Sequence, residues 1–280
     1  MREIKRREFL SWLGKVTAGF TAWGFQEGLS ISERLAEGWF YVTVQVDTLN
    51  IRSLPDKNSS VCGQVKMGAV LRVENKTIKG SDGSPWYKII QNSNLRWPPK
   101  TEEYIWAGGV KEITDLSPIS PFTPPFVKKI VISIPNQTLT AYESEKPIMT
   151  TPVSTGKKGW ETPTGEFEIV YKRLERRMQG RSANSPQDNY DTPGVPYCCY
   201  LKNKKTGEIR GYAIHGAWWH NSFGQPVSHG CINLPLVPQE TLGNISPAEW
   251  LFRWSTPVFS LQDLIVYSHT KNPGTLVIIE

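Results

Sequence analysis

The run Lys128-Lys129-Ile130-Val131-Ile132-Ser133-Ile134, followed after Pro135 by Asn136-Gln137 and Thr138-Leu139-Thr140-Ala141-Tyr142, reads as a β-hairpin. β-Branched and polar residues alternate on its arms, and Asn-Gln supplies the turn. Runs of the same kind follow at Ile148 to Ser154, Gly165 to Tyr171, Tyr197 to Leu201, Ile209 to His215 and Thr275 to Glu280. Helical pattern appears only after Leu236 and around Pro247 to Trp254. Residues 127–280 are therefore expected to form a mainly β, sandwich-like domain with minor helices, and not a doubly wound α/β sheet.

Upstream, residues 39–114 carry their own strand runs: Trp39 to Val44, Leu49 to Arg52, Gly68 to Val73, and Trp86 to Ile90 after the turn Ser81-Asp82-Gly83-Ser84-Pro85. Short strands at this spacing suggest a small barrel. A Pro-rich stretch, Ser117-Pro118-Ile119-Ser120-Pro121-Phe122-Thr123-Pro124-Pro125, follows. Its composition favours an extended, semi-rigid spacer, so residues 115–126 are read as the linker between two domains. No internal repeat is evident.

A chain of 280 residues can bury a full core, and 39% hydrophobic with 21% charged residues excludes wholesale disorder. The 11 Trp, 21 Pro and 23 Gly suit strands and loops better than a helical bundle. The net charge of +6 fits an anionic partner such as cell-wall polymer or a membrane surface. No nucleic-acid motif accompanies the charge, so no nucleic-acid partner is expected. Four cysteines, Cys62, Cys198, Cys199 and Cys231, are too few for a disulfide scaffold and lack zinc-type spacing. Cys198 and Cys199 are adjacent in a strand run, so their thiols should point to opposite faces.

Three of the four histidines lie near one cysteine, in Ile214-His215-Gly216, Trp218-Trp219-His220 and Ser228-His229-Gly230-Cys231-Ile232-Asn233-Leu234. A strand ending in His-Gly and a loop returning as Ser-His-Gly-Cys can bring imidazole and thiol together at one sheet edge. Attack by sulfur needs the thiolate, and a neighbouring imidazole supplies the base. Gly230 lets the chain turn tightly beside the nucleophile, so that consecutive amides can face one oxygen. An inert core thiol and a zinc site compete with this reading. The flanking histidines and glycine argue against the first, and the lack of a familiar closed ligand spacing argues against the second. No metal and no cofactor are expected. His220 on its own reads as a packed loop residue.

Residues 128 to 280 resemble the L,D-transpeptidase catalytic domain of the YkuD type. The motifs run in family order: Asn136-Gln137-Thr138-Leu139, Val153-Ser154-Thr155-Gly156, Thr162-Pro163-Thr164-Gly165-Glu166-Phe167, Ile214-His215-Gly216 and Ser228 to Leu234. The upstream segment is similar to bacterial SH3-like domains of cell-wall enzymes, through Leu49 to Arg52, Gly63-Gln64-Val65, Trp86 to Ile89 and Ile105 to Gly108. The resemblance implies Cys231 as nucleophile and His215 as proton donor and acceptor. It also implies a Gly216 carbonyl holding the imidazole, His229 in support, and an oxyanion hole near Gly230 and Cys231. Ser228, Asn233, Tyr197, Trp218 and Trp219, with Tyr190, are the residues expected at the substrate groove. The partner implied is the peptidoglycan stem peptide: a tetrapeptide loses its terminal D-Ala to a Cys thioester, which passes to an amine to give a 3–3 crosslink. The polar stretch Lys172 to Gly194 is expected to be a long loop over the donor site. A monomer is expected.

Two rival classes are a cell-wall cysteine hydrolase (carboxypeptidase or endopeptidase) and a noncatalytic wall-binding protein. In Cys-His endopeptidases the Cys precedes the His, whereas here His215 precedes Cys231; a noncatalytic protein would be expected to lack one of them. At the N-terminus, Lys5-Arg6-Arg7-Glu8-Phe9-Leu10 before the mildly apolar run Trp12 to Phe25 resembles a twin-arginine export signal within residues 1–28. Uncleaved, it could hold the protein at the membrane. Replacing Arg6 and Arg7 with Lys is expected to leave the protein in the cytoplasm when fractions are probed. Unchanged delivery of the double variant to the envelope would refute the signal.

Overall fold

The structure, a computed structural model, describes residues 38–91, 95–119, 127–181, 186–209, 211–261, 265–269 and 273–280. The proposed export segment therefore lies outside the described residues. Among these residues no helix is long and apolar enough to cross a membrane.

Two sheets account for the strand runs. The first contains β1 (Trp39–Val44), β2 (Thr48–Arg52), β3 (Val61–Lys66), β4 (Val70–Lys79), β5 (Pro85–Ile89), β6 (Tyr104–Trp106) and β7 (Val110–Glu112), in spatial order β3-β2-β6-β5-β4-β1-β7. Phe40, Val42, Val44, Leu49, Ile51, Leu71, Val73 and Ile105 fill its core. The second sheet begins with the hairpin β8 (Lys128–Ser133) and β9 (Thr138–Glu143), paired from Lys128 opposite Glu143 to Ser133 opposite Thr138. It continues through β10 (Lys146–Pro152), β11 (Gly165–Gly180), β12 (Tyr190–Asn203), β13 (Ala213–Gly216), β14 (Ile232–Leu234), β15 (Val266–Tyr267) and β16 (Leu276–Ile279). The order is β10-β9-β8-β16-β11-β12-β13-β14, with β15 on β11.

All of these strands belong to one sheet, and its two ends meet. The chain beyond β10 bridges Ser154 to Asn233 of β14, and Gly156 to Ser228. Ser154 N donates to Asn233 O at 3.0 Å, and Asn233 N donates back to Ser154 O at 2.9 Å. The closed sheet wraps a core of Ile130, Ile132, Leu139, Phe167, Ile169, Leu201, Ile214, Ile232 and Val277, among others. Helix α1 (Pro247–Trp254) adds Leu251, Phe252 and Trp254 to that core. Ser246 caps α1 by accepting from Glu249 N, with Pro247 in the first turn where a missing N–H costs nothing. At its other end, Lys172 Nζ donates to Phe252 O and Lys128 Nζ to Trp254 O, both at 2.6 Å. Burial pushes each lysine down to about 8.

These contacts correct the reading of Lys172 to Gly194 as a loop. Residues 172–180 complete β11 and 190–194 open β12, which pair out to Gly180 opposite Tyr190. Lys172, Arg177 and Gln179 are partnered rather than solvated. Lys172 is fully buried under α1, and Arg177 joins the two sheets. Arg177 Nη1 meets Glu103 Oε2 at 2.8 Å, while its Nε meets Asp191 Oδ1 at 2.6 Å. Tyr41 and Val70 of the first sheet share a cluster with the core of the second. The linker is also partly docked. Leu116 is buried in that core, and Arg253 Nε donates to Ser117 O at 2.9 Å. Residues 120–126 fall outside the described residues. Cys198 and Cys199 diverge as expected, one toward Val195 O and the other toward Ser255. All four cysteines are free thiols.

Removing the cation from a buried pair strands the anion. Arg177→Met should lower unfolding stability by about 3 kcal/mol in urea titrations, and Glu103→Gln in the same chain should recover part of the loss. A single variant as stable as the parent would show that this pair does not hold the units together.

Candidate functional site

Strands β13 and β14 run parallel, with Ile214 opposite Ile232, His215 opposite Asn233 and Gly216 opposite Leu234. Strand side chains alternate between faces, so His215 and Asn233 share one face, and Cys231, one step before β14, falls on that face too. The site therefore sits at the sheet edge, where the closing bridges converge.

His215 is buried, with 2% of its surface exposed. Its Nδ1 lies 3.0 Å from Gly216 O, and its Nε2 lies 3.3 Å from Asn233 Nδ2. A carbonyl can only accept, so Nδ1 carries the proton and Nε2 keeps its lone pair. Burial pushes the imidazole down to about 4, outweighing the Gly216 hydrogen bond that favours the charged form. Cys231 Sγ points toward Gly211 O at 4.0 Å and packs beside Val195, Cys198, Tyr200 and Ala213. Burial pushes its thiol up to about 11. Desolvation thus favours the neutral form of each group, the thiol and the imidazole alike.

The loop from Ser228 to Cys231 is held from three directions. Ser228 Oγ accepts from Gly230 N at 3.1 Å and donates to Cys231 O at 2.5 Å. Thr162 Oγ1 donates to Gly230 O at 2.9 Å and accepts from Gly156 N at 2.8 Å. Gln137 Nε2 donates to Thr155 Oγ1 at 2.7 Å while Thr155 N donates to Gln137 Oε1, fixing the strand that bridges to Ser228. Gly230 adopts φ +106, and a Cβ there would lie 2.8 Å from the Tyr212 ring. No other residue fits that position without displacing Tyr212. Because Gly230 N is occupied by Ser228, the Cys231 N–H is left, of the two amides read from the sequence, to meet an oxyanion.

The remaining expected residues divide. His229 packs between Trp160 and Tyr190, each ring centroid 5.0 Å away, with Nε2 3.6 Å from Asp188 Oδ1. Its pKa is lowered by burial and by Lys157, against the pull of Asp188. Trp219 stands 5.8 Å from the His215 ring. Tyr197, expected at the groove, is instead buried in the core on Phe252, its hydroxyl donating to Glu249. Ser228 is buried and committed to the loop, so its hydroxyl is not presented to a ligand. Trp218 donates to Pro193 O and packs against the first sheet's core. Asn233 is 2% exposed, and both ends of its amide are engaged by imidazoles, which corrects its reading as a substrate-orienting residue. Gln137, Thr162 and Tyr190 matter more to this geometry than their sequence signals suggested.

Residues 127–279 match the model of the YkuD L,D-transpeptidase catalytic domain, more than half of the chain. The chain belongs to that family. Two curated relatives carry the name "Putative L,D-transpeptidase YkuD". The Bacillus subtilis protein is 32% identical over 161 residues, covering 58% of this chain and 84% of its own length. The Bacillus licheniformis protein is 29% identical over 137 residues, covering 46% and 70%. Similar solved structures include L,D-transpeptidase 3 from Mycobacterium tuberculosis, 16% identical with a TM-score of 0.40, covering 70% of this chain and 91% of that one. An Enterococcus faecium L,D-transpeptidase is 21% identical with a TM-score of 0.37, covering 55% of this chain. The chain spans 50% of that protein's length.

A histidine held neutral by burial binds no proton in the folded state between about pH 4 and its unfolded value of 6.5. The unfolded chain does bind one there, so stability rises with pH through this window and is lost as pH falls through it. The His215 contribution should amount to about 3 kcal/mol between pH 7 and pH 4. As pH falls, the urea midpoint of the parent should therefore drop relative to that of His215→Asn, and parallel curves would contradict the assignment.

Proposed function

We infer that this L,D-transpeptidase-family chain is an enzyme that acylates Cys231 with the tetrapeptide stem of peptidoglycan and passes the acyl group to a second amine. What carries the reading is the pairing of β13 with β14, which sets a tautomer-locked imidazole and a thiol on one face.

In the proposed first step, Cys231 Sγ attacks the carbonyl of the third stem residue. The Sγ–C bond forms as His215 Nε2 takes the thiol proton. The oxyanion meets Cys231 N–H, and Gly216 O steadies the imidazolium through Nδ1–H. Collapse breaks the bond to the terminal D-Ala, whose amine leaves with the proton from Nε2. An acceptor amine then attacks the thioester and gives its proton to His215, and departing sulfur recovers it. A stem diamino acid as acceptor gives a 3–3 crosslink; water would make the enzyme a carboxypeptidase. Neutral partners suit this cycle, because each proton moves only when an acyl carbonyl is in place.

The upstream unit is proposed to be SH3-like, and the net charge of +6 suits an anionic wall polymer. Action on the wall implies an exported protein, and the twin-arginine sequence is the proposed route.

Incubation with disaccharide-tetrapeptide and mass spectrometry of enzyme and products tests the reading. The expected species are an acyl-enzyme on Cys231, free D-Ala and a 3–3 dimer. Cys231→Ala and Cys231→Ser should both abolish turnover. A carbapenem should add to Cys231 alone, whereas iodoacetamide at neutral pH should label exposed Cys62 first. Full activity in Cys231→Ala, or a carbapenem adduct on Cys62, Cys198 or Cys199, would overturn the assignment.

A further inference from the structure

His220 lies in the loop after β13, and its ring is woven into the site by hydrogen bonds of fixed polarity. Ser222 N–H lies 3.1 Å from His220 Nδ1. A backbone N–H can only donate, so Nδ1 must accept, and the proton of the neutral ring sits on Nε2. Nε2 lies 2.9 Å from Asn233 Oδ1, where Nε2–H can only donate and the amide oxygen accepts. This orients the amide, turning Nδ2 toward His215 Nε2 at 3.3 Å. A donor there obliges Nε2 of His215 to accept, and Nδ1–H is left for Gly216 O at 3.0 Å. Four links agree in direction: three run from the Ser222 amide to the Nε2 lone pair of His215, and the fourth from its Nδ1–H to Gly216 O.

We propose that His220 is a positioning residue that fixes the tautomer of His215 by locking the orientation of the Asn233 amide. The inference rests on the reading of His215 as the base. Without the His220 donor, the Asn233 amide is free to turn over and present its oxygen to His215 Nε2. An oxygen there competes with Gly216 O for the single ring proton, and the Nε2–H form it favours lacks the acceptor that Cys231 needs. A base in the wrong tautomer is a poor base even when its position is unchanged. The lock is built to hold: Asn233 is buried, its backbone is pinned to Ser154 on one side, and its strand pairs with β13 on the other. The His220 ring is steadied by Phe223 at 5.1 Å and Trp219 at 6.0 Å between centroids.

The test compares His220→Phe, which keeps a ring against Trp219 and Phe223 but donates nothing, with His220→Gln, whose amide nitrogen falls near the place of Nε2. The readouts are the rate constant and the half-saturation for carbapenem acylation of Cys231, the thermal midpoint, and the His215 ring tautomer by nitrogen-15 NMR. His220→Phe should fold with a midpoint close to the parent's and lose about tenfold or more in rate constant with little change in half-saturation. Its His215 signals should shift toward the Nε2–H form. His220→Gln should keep most of the rate and the Nδ1–H form. Equal behaviour of the two variants, or an unchanged His215 tautomer in His220→Phe, would overturn the proposal. If the parent itself fails to acylate, the transpeptidase reading falls, while the NMR comparison still decides whether His220 sets the tautomer.

Discussion

Everything at the site depends on the pair of hydrogen bonds between Ser154 and Asn233. They close the large sheet by joining the chain beyond β10 to β14, and they do so at the residue whose side chain faces the His215 imidazole. A sheet edge is normally free to fray. Here the edge strand of three residues is pinned on both sides, by β13 in parallel and by the 154–156 segment through the bridges. The motifs far from Cys231 serve this closure. Gln137 orders Thr155, Thr162 holds Gly230 O, and Ser228 ties the loop to the Cys231 carbonyl.

Closure also sets the chemistry. His215 is buried and Cys231 is half-buried beside it, and desolvation moves the imidazole and the thiol in opposite directions, each toward its neutral form. Low dielectric then strengthens the contacts to an oxyanion once one forms.

The hairpin β8–β9, the strand that ends at His215 and helix α1 were legible because their signals are local: alternation, a turn, a helical period and short motifs. Strand β14 after Cys231 was read only as a returning loop, because its pairing with β13 and Ser154 lies outside any local window. The second half of β11 was not. Lys172, Arg177 and their polar neighbours break the apolar alternation, and their partners are α1 carbonyls and Glu103 of the other sheet, which no window of sequence contains. The groove assignment failed at Tyr197 for a related reason. A strand presents alternate residues to opposite faces, and only the register shows which face Tyr197 takes, here the core beneath α1. The link from His220 to Asn233 spans 13 positions across a loop and a strand pairing. It follows from closure, not from any local pattern.

The claim that the site rests as a neutral pair is tested most directly by titrating thiolate absorbance near 240 nm. The signal would be read as the difference between Cys62→Ser and Cys62→Ser/Cys231→Ser proteins. The account predicts no Cys231 thiolate at neutral pH and its appearance only toward about pH 11. A thiolate already formed below pH 7 would mean an ion pair at rest, and would contradict it.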